Sequence, residues 1–142
     1  MTKIAIVGDP HFGIRNDSPF FLEHYIAWFC NAMETWKTPG LVDRVIVLGD
    51  FLDRRKYINF NTLKQVRTRV LEPLNRLGIP IDFIAGNHDL YWRNNSDVSS
   101  LEELIGDRYP NIRVHLEPVS MLDGDVLLVP WINEQNFEKS FA

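Results

Sequence analysis

The sequence predicts an α/β fold in which a parallel sheet carries a functional site along one edge. Three short apolar runs separated by helical segments indicate this class, because strands that alternate with helices build parallel sheets. Each run also ends in a cluster of polar residues, at the sheet edge where open α/β sheets bind their ligands. With 142 residues, 45% hydrophobic and 24% charged, residues 1–142 are expected to form one domain.

The first three apolar runs are continuous and rich in branched side chains, as in strands that are buried on both faces. These runs cover residues 4–7, 45–48 and 81–85, with Asp82 as the one polar exception. Two further strands are predicted at residues 112–116 and 126–129. The order of these runs along the chain favours a sheet whose first three strands are parallel.

The first helix is predicted over residues 20–37, between the first two strands. Ser18 and Pro19 form a plausible cap and first helical position, and Pro39 followed by glycine ends the segment. Its aromatic side chains supply a large apolar face. This helix provides the crossover that two parallel strands require.

A second helix is predicted over residues 61–77, with Gly78 as its stop. Pro73 lies inside the pattern, and we expect it to kink the helix or end it early. After a polar loop, a short helix is expected over residues 101–105.

Composition and charge bear on three properties of the protein: its cellular setting, its relation to membranes and its way of binding nucleic acid. Cys30 is the single cysteine, which excludes an internal disulfide framework and favours a reducing, cytoplasmic setting. The N-terminal apolar run is broken by Asp9, too early for a signal peptide or a membrane span. The 15 basic against 19 acidic residues give a formal charge of −4, so charge alone would not hold nucleic acid. A phosphate-rich substrate would need another source of positive charge.

Polar residues that bind metals follow each of the first three strands. The three clusters are Asp9-Pro10-His11, Gly49-Asp50-Phe51-Leu52-Asp53 and Gly86-Asn87-His88-Asp89. They lie about 40 residues apart, a spacing that fits one crossover helix and one strand. We therefore expect all three clusters at the carboxyl edge of one sheet.

Each cluster taken alone is also compatible with ordinary turn chemistry after a strand. Together, carboxylates, imidazole and an amide oxygen without thiolate suit manganese, iron or zinc. A site with two such ions about 3.5–4 Å apart needs a shared ligand, and Asp50 in the middle cluster is placed to bridge.

These motifs resemble the calcineurin-like metallophosphoesterases from the first strand to the end of the chain. The flanking residues, including Arg54-Arg55-Lys56 and Val129-Pro130-Trp131, are most similar to SbcD-type nuclease subunits of DNA repair complexes, especially the recombination endonuclease subunit of tailed phages. The resemblance implies a layered α/β/β/α sandwich with its metal site at the carboxyl ends of the parallel strands.

The resemblance also implies roles for individual residues. Asp9 and His11 would bind the first metal, Asp50 would bridge, and Asn87 would bind the second. His88 would protonate the leaving oxygen, and Asp89 would orient its ring. The implied cofactors are two divalent ions, with manganese preferred to iron or zinc. They would also supply the positive charge that a phosphate-rich substrate needs and that the net charge of the chain does not provide.

Two departures from the family pattern alter what is expected. Cellular SbcD-like nucleases commonly have histidine at the position of Asp53. Here Asp53 is therefore expected either to hold the ligands in place without binding metal or to face the substrate. Arg54 is expected to contact phosphate. The later histidine ligands, an isolated one and a Gly-His-x-His pair, do not occur in these 142 residues. The chain is therefore expected to be a C-terminally incomplete metallophosphoesterase domain.

Other conspicuous residues have structural interpretations. His24 and His115 are expected to pack or face solvent, and Cys30 to fill the core. The basic run at residues 54–56, together with Lys64, Arg67 and Arg69, could follow a DNA backbone or simply form a solvated face. Tyr91 and Trp92 could stack on a splayed base or pack under their loop.

The preferred function is a two-metal phosphoesterase that cleaves DNA phosphodiesters. Its implied partners are DNA, an SbcC-like coiled-coil ATPase and a second nuclease copy, with no membrane, in a bacterial cytoplasm or in a host cytoplasm if a phage encodes it. Two alternatives stay open. One is action on a phosphomonoester, cyclic nucleotide or phosphoprotein, and the other is a docking module without catalysis.

Overall fold

The computed structural model describes all 142 residues and has the mixed α/β architecture that the sequence predicts. The strands are β1 (Ile4–Val7), β2 (Arg44–Val47), β3 (Ile81–Ile84), β4 (Ile112–His115), β5 (Val119–Met121) and β6 (Val126–Leu128). The helices are α1 (Pro19–Trp36), α2 (Phe60–Val66), α3 (Glu72–Arg76), α4 (Ser100–Leu104) and α5 (Phe137–Phe141). None of them has the length and apolar character needed to cross a bilayer.

The first four strands form one parallel sheet in the order β1-β2-β3-β4. Val45 of β2 lies opposite Ala5 of β1 and Ile81 of β3, so the register is continuous across the sheet. The strand expected at residues 126–129 exists, but it pairs antiparallel with β5, which the sequence did not predict. Because the four sheet strands are parallel, the segments after β1, β2 and β3 leave the sheet at the same edge.

The two faces of the sheet are covered to different extents. One face packs against α1, α2 and their neighbours in a core of 23 buried residues that includes Phe12, Phe51 and Phe83. On the other face, Ile46 and Ile84 pack against Leu128 of β6 in a small separate cluster. The larger cluster lies directly behind the ends of β1 and β2, so the segments that follow those strands are anchored by buried aromatic rings.

The helix predicted over residues 61–77 exists, and it passes Pro73 without a break. Its middle is a π-helical turn at Arg67–Leu71, where the N–H of Glu72 donates to the Arg67 carbonyl five residues back. Wider pairing of this kind accommodates a residue that has no N–H. The thiol of Cys30 lies 3.9 Å from the Arg69 carbonyl oxygen and donates to it. Cys30 thus packs helix α1 against this turn, as a structural residue.

Asp82, the polar residue of β3, is 1% exposed. Its carboxylate connects charged or polar side chains of the two neighbouring strands. Arg44 of β2 donates to one carboxylate oxygen, and Nε2 of His115 in β4 lies 2.7 Å from the other. Burial acts to raise the pKa of Asp82, but the hydrogen bonds from His115 and Arg44 outweigh it and hold the pKa below its ordinary value. The His115 side chain therefore ties β4 to β3 through Asp82.

Replacing Asp82 with asparagine should lower the free energy of unfolding by about 3 kcal/mol, because Arg44 would be left as a largely buried charge without a carboxylate. Since the folded pKa is lowered, the contribution of Asp82 is present above its unfolded pKa and is lost as pH falls below about 4. Urea denaturation at pH 7 and at pH 3 measures both effects. The exposed Asp125→Asn variant is the control, and equal losses in the two variants would contradict this role.

Candidate metal centre

The segments after β1 and β2 are joined by backbone hydrogen bonds that continue the sheet beyond its strands. The His11 N–H donates to the Asp50 carbonyl at 2.9 Å, and the Phe12 N–H donates to the Phe51 carbonyl at the same distance. The Asp53 N–H then returns a hydrogen bond to the Phe12 carbonyl at 2.9 Å. His11, Asp50 and Asp53 are thus held side by side by their own main chain, as the spacing of the clusters predicts.

The segments after β2 and β3 approach so closely that both need glycine at the contact. A Cβ atom on Gly49 would overlap the backbone of Gly86, and a Cβ atom on Gly86 would overlap Asp50. Gly49 also has a φ of 100°, a left-handed value that glycine adopts without strain. One carboxylate oxygen of Asp50 accepts a hydrogen bond from the His88 N–H at 2.8 Å across this contact.

Three donor side chains converge where these segments meet. One donor atom from each of His11, Asp53 and His88 lies within 4.8 Å of the others. Nε2 of His11 is 3.7 Å from Oδ2 of Asp50, and Nδ1 of His11 is 3.5 Å from Oδ1 of Asp53. Asp53 therefore stands among the metal-competent side chains, closer to the site than the supporting position expected for it.

This donor set fits a divalent cation. Nδ1 of His11 is buried and has no hydrogen-bond partner, which is costly for a polar atom unless a ligand satisfies it. His11 and Asp50 both have a φ of 45°, a left-handed conformation that non-glycine residues rarely adopt and that concentrates at functional sites. Imidazole and carboxylate donors without thiolate suit manganese, iron or zinc.

His88 presents one ring nitrogen while the other is held by the main chain. Its Nδ1 lies 2.5 Å from the Asp53 carbonyl oxygen, so we assign the proton of the neutral ring to Nδ1. The ring packs edge-on against His11, with centroids 5.0 Å apart. This arrangement leaves Nε2 to exchange a proton or to bind a metal.

Asp89 has a different role from the one expected. The family resemblance implies that it orients the His88 ring, but its oxygens accept backbone N–H groups of Phe51 at 3.0 Å and Gly86 at 2.8 Å. The Asp53 carbonyl, and not Asp89, contacts Nδ1 of the His88 ring. Burial raises the pKa of the Asp89 carboxyl to about 7, and the charge of Asp50 adds to the effect. Asp89 thus joins the second and third segments.

Asp9 and Asn87, the other two expected ligands, lie at the same sheet edge. They line a cavity of about 510 Å³ together with Asp50, and Trp131 forms part of its wall. The Trp131 N–H donates to the Ala85 carbonyl at 2.7 Å, which fixes that wall against the end of β3. All four predicted ligands, Asp9, His11, Asp50 and Asn87, therefore lie at the carboxyl edge of the sheet.

The two arginines after Asp53 point to different partners. Arg54, the expected phosphate contact, pairs with Asp17 and donates to Oδ1 of Asn16 at 2.9 Å. Arg55 instead donates to Oδ1 of Asn87 at 2.7 Å. The sequence contained no signal that separates two adjacent arginines, because their directions depend on acceptors more than 30 positions away.

The raised pKa of Asp89 predicts that the metal-free protein loses stability as pH rises. A carboxyl whose folded pKa is about 7 stabilises the fold fully below its unfolded pKa near 4, and this contribution is lost as pH rises toward 7. Denaturation of the metal-free protein between pH 4.5 and pH 8 should show this slope. In Asp89→Asn, the part of the slope that Asp89 contributes should be absent, and an unchanged slope would contradict the assignment.

Comparison with known proteins agrees with the geometry. Residues 2–135 match the family model described as calcineurin-like phosphoesterase. Over 136 residues the chain is 33% identical to a protein of Enterobacteria phage T4 named "Exonuclease subunit 1". That match covers 94% of this chain and 39% of the phage protein. The sheet, the three polar segments and the family match agree, and the chain belongs to the calcineurin-like phosphoesterase family.

Proposed function

We propose that this chain carries the metal-binding part of a nuclease that hydrolyses DNA phosphodiester bonds. The family is one of metal-dependent phosphoesterases, and the similar phage protein is named as an exonuclease subunit. The observation that carries the proposal is the convergence of His11, Asp53 and His88 beside Asp50, with a buried histidine nitrogen that lacks a partner.

The proposed cofactors are two divalent ions, manganese in preference to iron or zinc. Asp9 and His11 would hold one ion, Asn87 the other, and Asp50 would serve both. Asp53 is a further candidate ligand, because its carboxylate lies 3.5 Å from the ring of His11. When bound, such ions neutralise phosphate charge and generate hydroxide at neutral pH.

His88 is proposed to deliver the proton that the leaving oxygen requires. The Asp53 carbonyl holds Nδ1, so the ring cannot rotate away and Nε2 is the nitrogen that gains and gives up the proton. The His88 N–H is bound to Asp50, which keeps this ring in a fixed position relative to the proposed bridging ligand. Asp89 holds the segments after β2 and β3 together through its hydrogen bonds to the Phe51 and Gly86 N–H groups.

Partners follow from the proposed class of enzyme. The name of the phage protein identifies it as one subunit of an exonuclease, and SbcD-like nucleases act with a coiled-coil ATPase. We propose an SbcC-like ATPase and a second copy of the nuclease as partners of this chain. A role in double-strand-break repair or phage recombination, in a bacterial or infected host cytoplasm, follows from the same assignment.

Manganese-dependent cleavage of DNA tests this function. The protein expressed from its whole reading frame should degrade a labelled duplex with Mn²⁺ and not with EDTA. Asp50→Asn should reduce the rate at least 100-fold, because it removes a ligand charge and weakens the link to His88. Asp125→Asn, an exposed substitution with the same change of charge, should leave the rate unchanged.

Other outcomes of this assay separate the alternatives. Hydrolysis of p-nitrophenyl phosphate, a cyclic nucleotide or a phosphoprotein without DNA cleavage would contradict the nuclease assignment and retain the phosphoesterase. Absence of Mn²⁺ binding in isothermal titration would contradict both and favour the docking module.

His88→Ala should slow turnover while leaving metal affinity unchanged, if His88 acts as the proton donor. The expected loss is about 100- to 10,000-fold in kcat, the range of general acid catalysis. Isothermal titration with Mn²⁺ supplies the second measurement, and loss of affinity would make His88 a ligand instead. The control is His24→Ala, since His24 is an exposed histidine on α1.

A further inference from the structure

Arg55 is a largely enclosed arginine that has no carboxylate partner. Arg44, Arg54 and Arg69 each pair with an aspartate or glutamate, whereas the guanidinium of Arg55 donates only to neutral oxygens. These are Oδ1 of Asn87 at 2.7 Å and the Leu90 carbonyl at 3.2 Å. A partly buried guanidinium that donates to no carboxylate is less stabilised than one in a direct ion pair, so its position needs another explanation.

Arg55 brings this charge to the edge of the candidate metal centre through its contact with Asn87, and its side chain lines the neighbouring cavity of about 350 Å³. Asn87, which it contacts directly, is the proposed ligand of the second metal. Burial and the nearby Arg93 lower the pKa of Arg55, while the carboxylates of Asp50 and Asp89 act in the opposite direction. An arginine stays protonated in all such surroundings. The site therefore contains a permanent positive charge in addition to any bound ion.

The neighbouring basic residues are engaged elsewhere. Arg54 is bound to Asp17 and Asn16, and Nζ of Lys56 lies 4.9 Å from the ring centre of Tyr91. Arg55 uses two of the five N–H donors of its guanidinium on protein acceptors. Its other three N–H groups donate to no protein acceptor, and guanidinium N–H groups are donors with which arginine binds phosphate oxygens.

We propose that Arg55 binds a non-bridging oxygen of the substrate phosphate at the Asn87 side of the metal centre. The hydrogen bond to Asn87 then has a positioning purpose, because it fixes the guanidinium beside the residue that would hold the second ion. The Asn87 oxygen has two lone pairs, so it can accept from Arg55 and still offer a lone pair to a cation. The inference rests on the proposed phosphoesterase function and adds a substrate-binding residue to it.

A phosphate-binding role and a purely structural role predict opposite changes in Arg55→Gln. Removing the charge should weaken phosphate binding about tenfold or more, the loss of one charge-assisted hydrogen bond. The same change removes a positive charge that repels the second cation, so Mn²⁺ affinity without substrate should stay equal or increase. A merely structural arginine would instead weaken both, because its loss would release Asn87 and Leu90.

Isothermal titration with two probes distinguishes these outcomes. Mn²⁺ alone is titrated first, and thymidine 5′-monophosphate is then titrated into the Mn²⁺-loaded protein. For Arg55→Gln we expect a nucleotide Kd at least tenfold higher with retained Mn²⁺ affinity, and for Arg55→Lys a partial recovery. Arg76→Gln, which removes an exposed charge at the opposite end of β3, should match the unsubstituted protein in both titrations.

Kinetics with the whole protein give an independent measurement. Arg55→Gln should raise KM for the cleaved phosphodiester more than it lowers kcat. An unchanged nucleotide Kd, or a parallel loss of Mn²⁺ and nucleotide affinity, would overturn the role of Arg55. If the protein cleaves other phosphoesters but not DNA while Arg55→Gln still weakens nucleotide binding, the DNA assignment fails and the role of Arg55 stands.

Discussion

The close approach of the segments after β2 and β3 is the contact on which the whole site depends. Two carboxylates, one from each segment, accept backbone hydrogen bonds from the other segment. Asp50 accepts the His88 N–H of the third segment, and Asp89 accepts the Phe51 N–H of the second. The backbones come together because Gly49 and Gly86 have no side chains at the crossing point. Each aspartate thus binds the residue next to its counterpart and links the two segments.

Burial distinguishes the two aspartates at this contact, because one is enclosed and the other, the proposed metal ligand, stays accessible. Asp89 is 0% exposed and its pKa is raised to about 7, whereas the side chain of Asp50 retains 19% exposure. A carboxyl that is enclosed and already satisfied by backbone donors is a poor ligand for an ion that arrives from solvent. Asp50 has a left-handed backbone, and its second oxygen lies 3.7 Å from Nε2 of His11.

The sequence predicted most of the fold because its signals are local. Apolar runs located four sheet strands within one or two residues, and the polar clusters after them located the edge where the site lies. Strand β5 was missed because its three residues, Val119–Met121, are too few for an alternation to show. Pro73 predicted a kink or an early end, and the helix continues through it with a π-helical turn just before the proline.

The site itself was less predictable, since side-chain direction depends on distant acceptors. Arg54 and Arg55 have the same local chemistry, and only the positions of Asp17 and Asn87 decide which one reaches the metal centre. The same dependence shows why the net charge of −4 is a weak guide to substrate. The acidic residues counted in that net charge include Asp50 and Asp53 of the candidate site, and under the proposed function divalent ions would offset their charge. Under the same proposal a phosphate would also meet Arg55, whose guanidinium donates to no carboxylate.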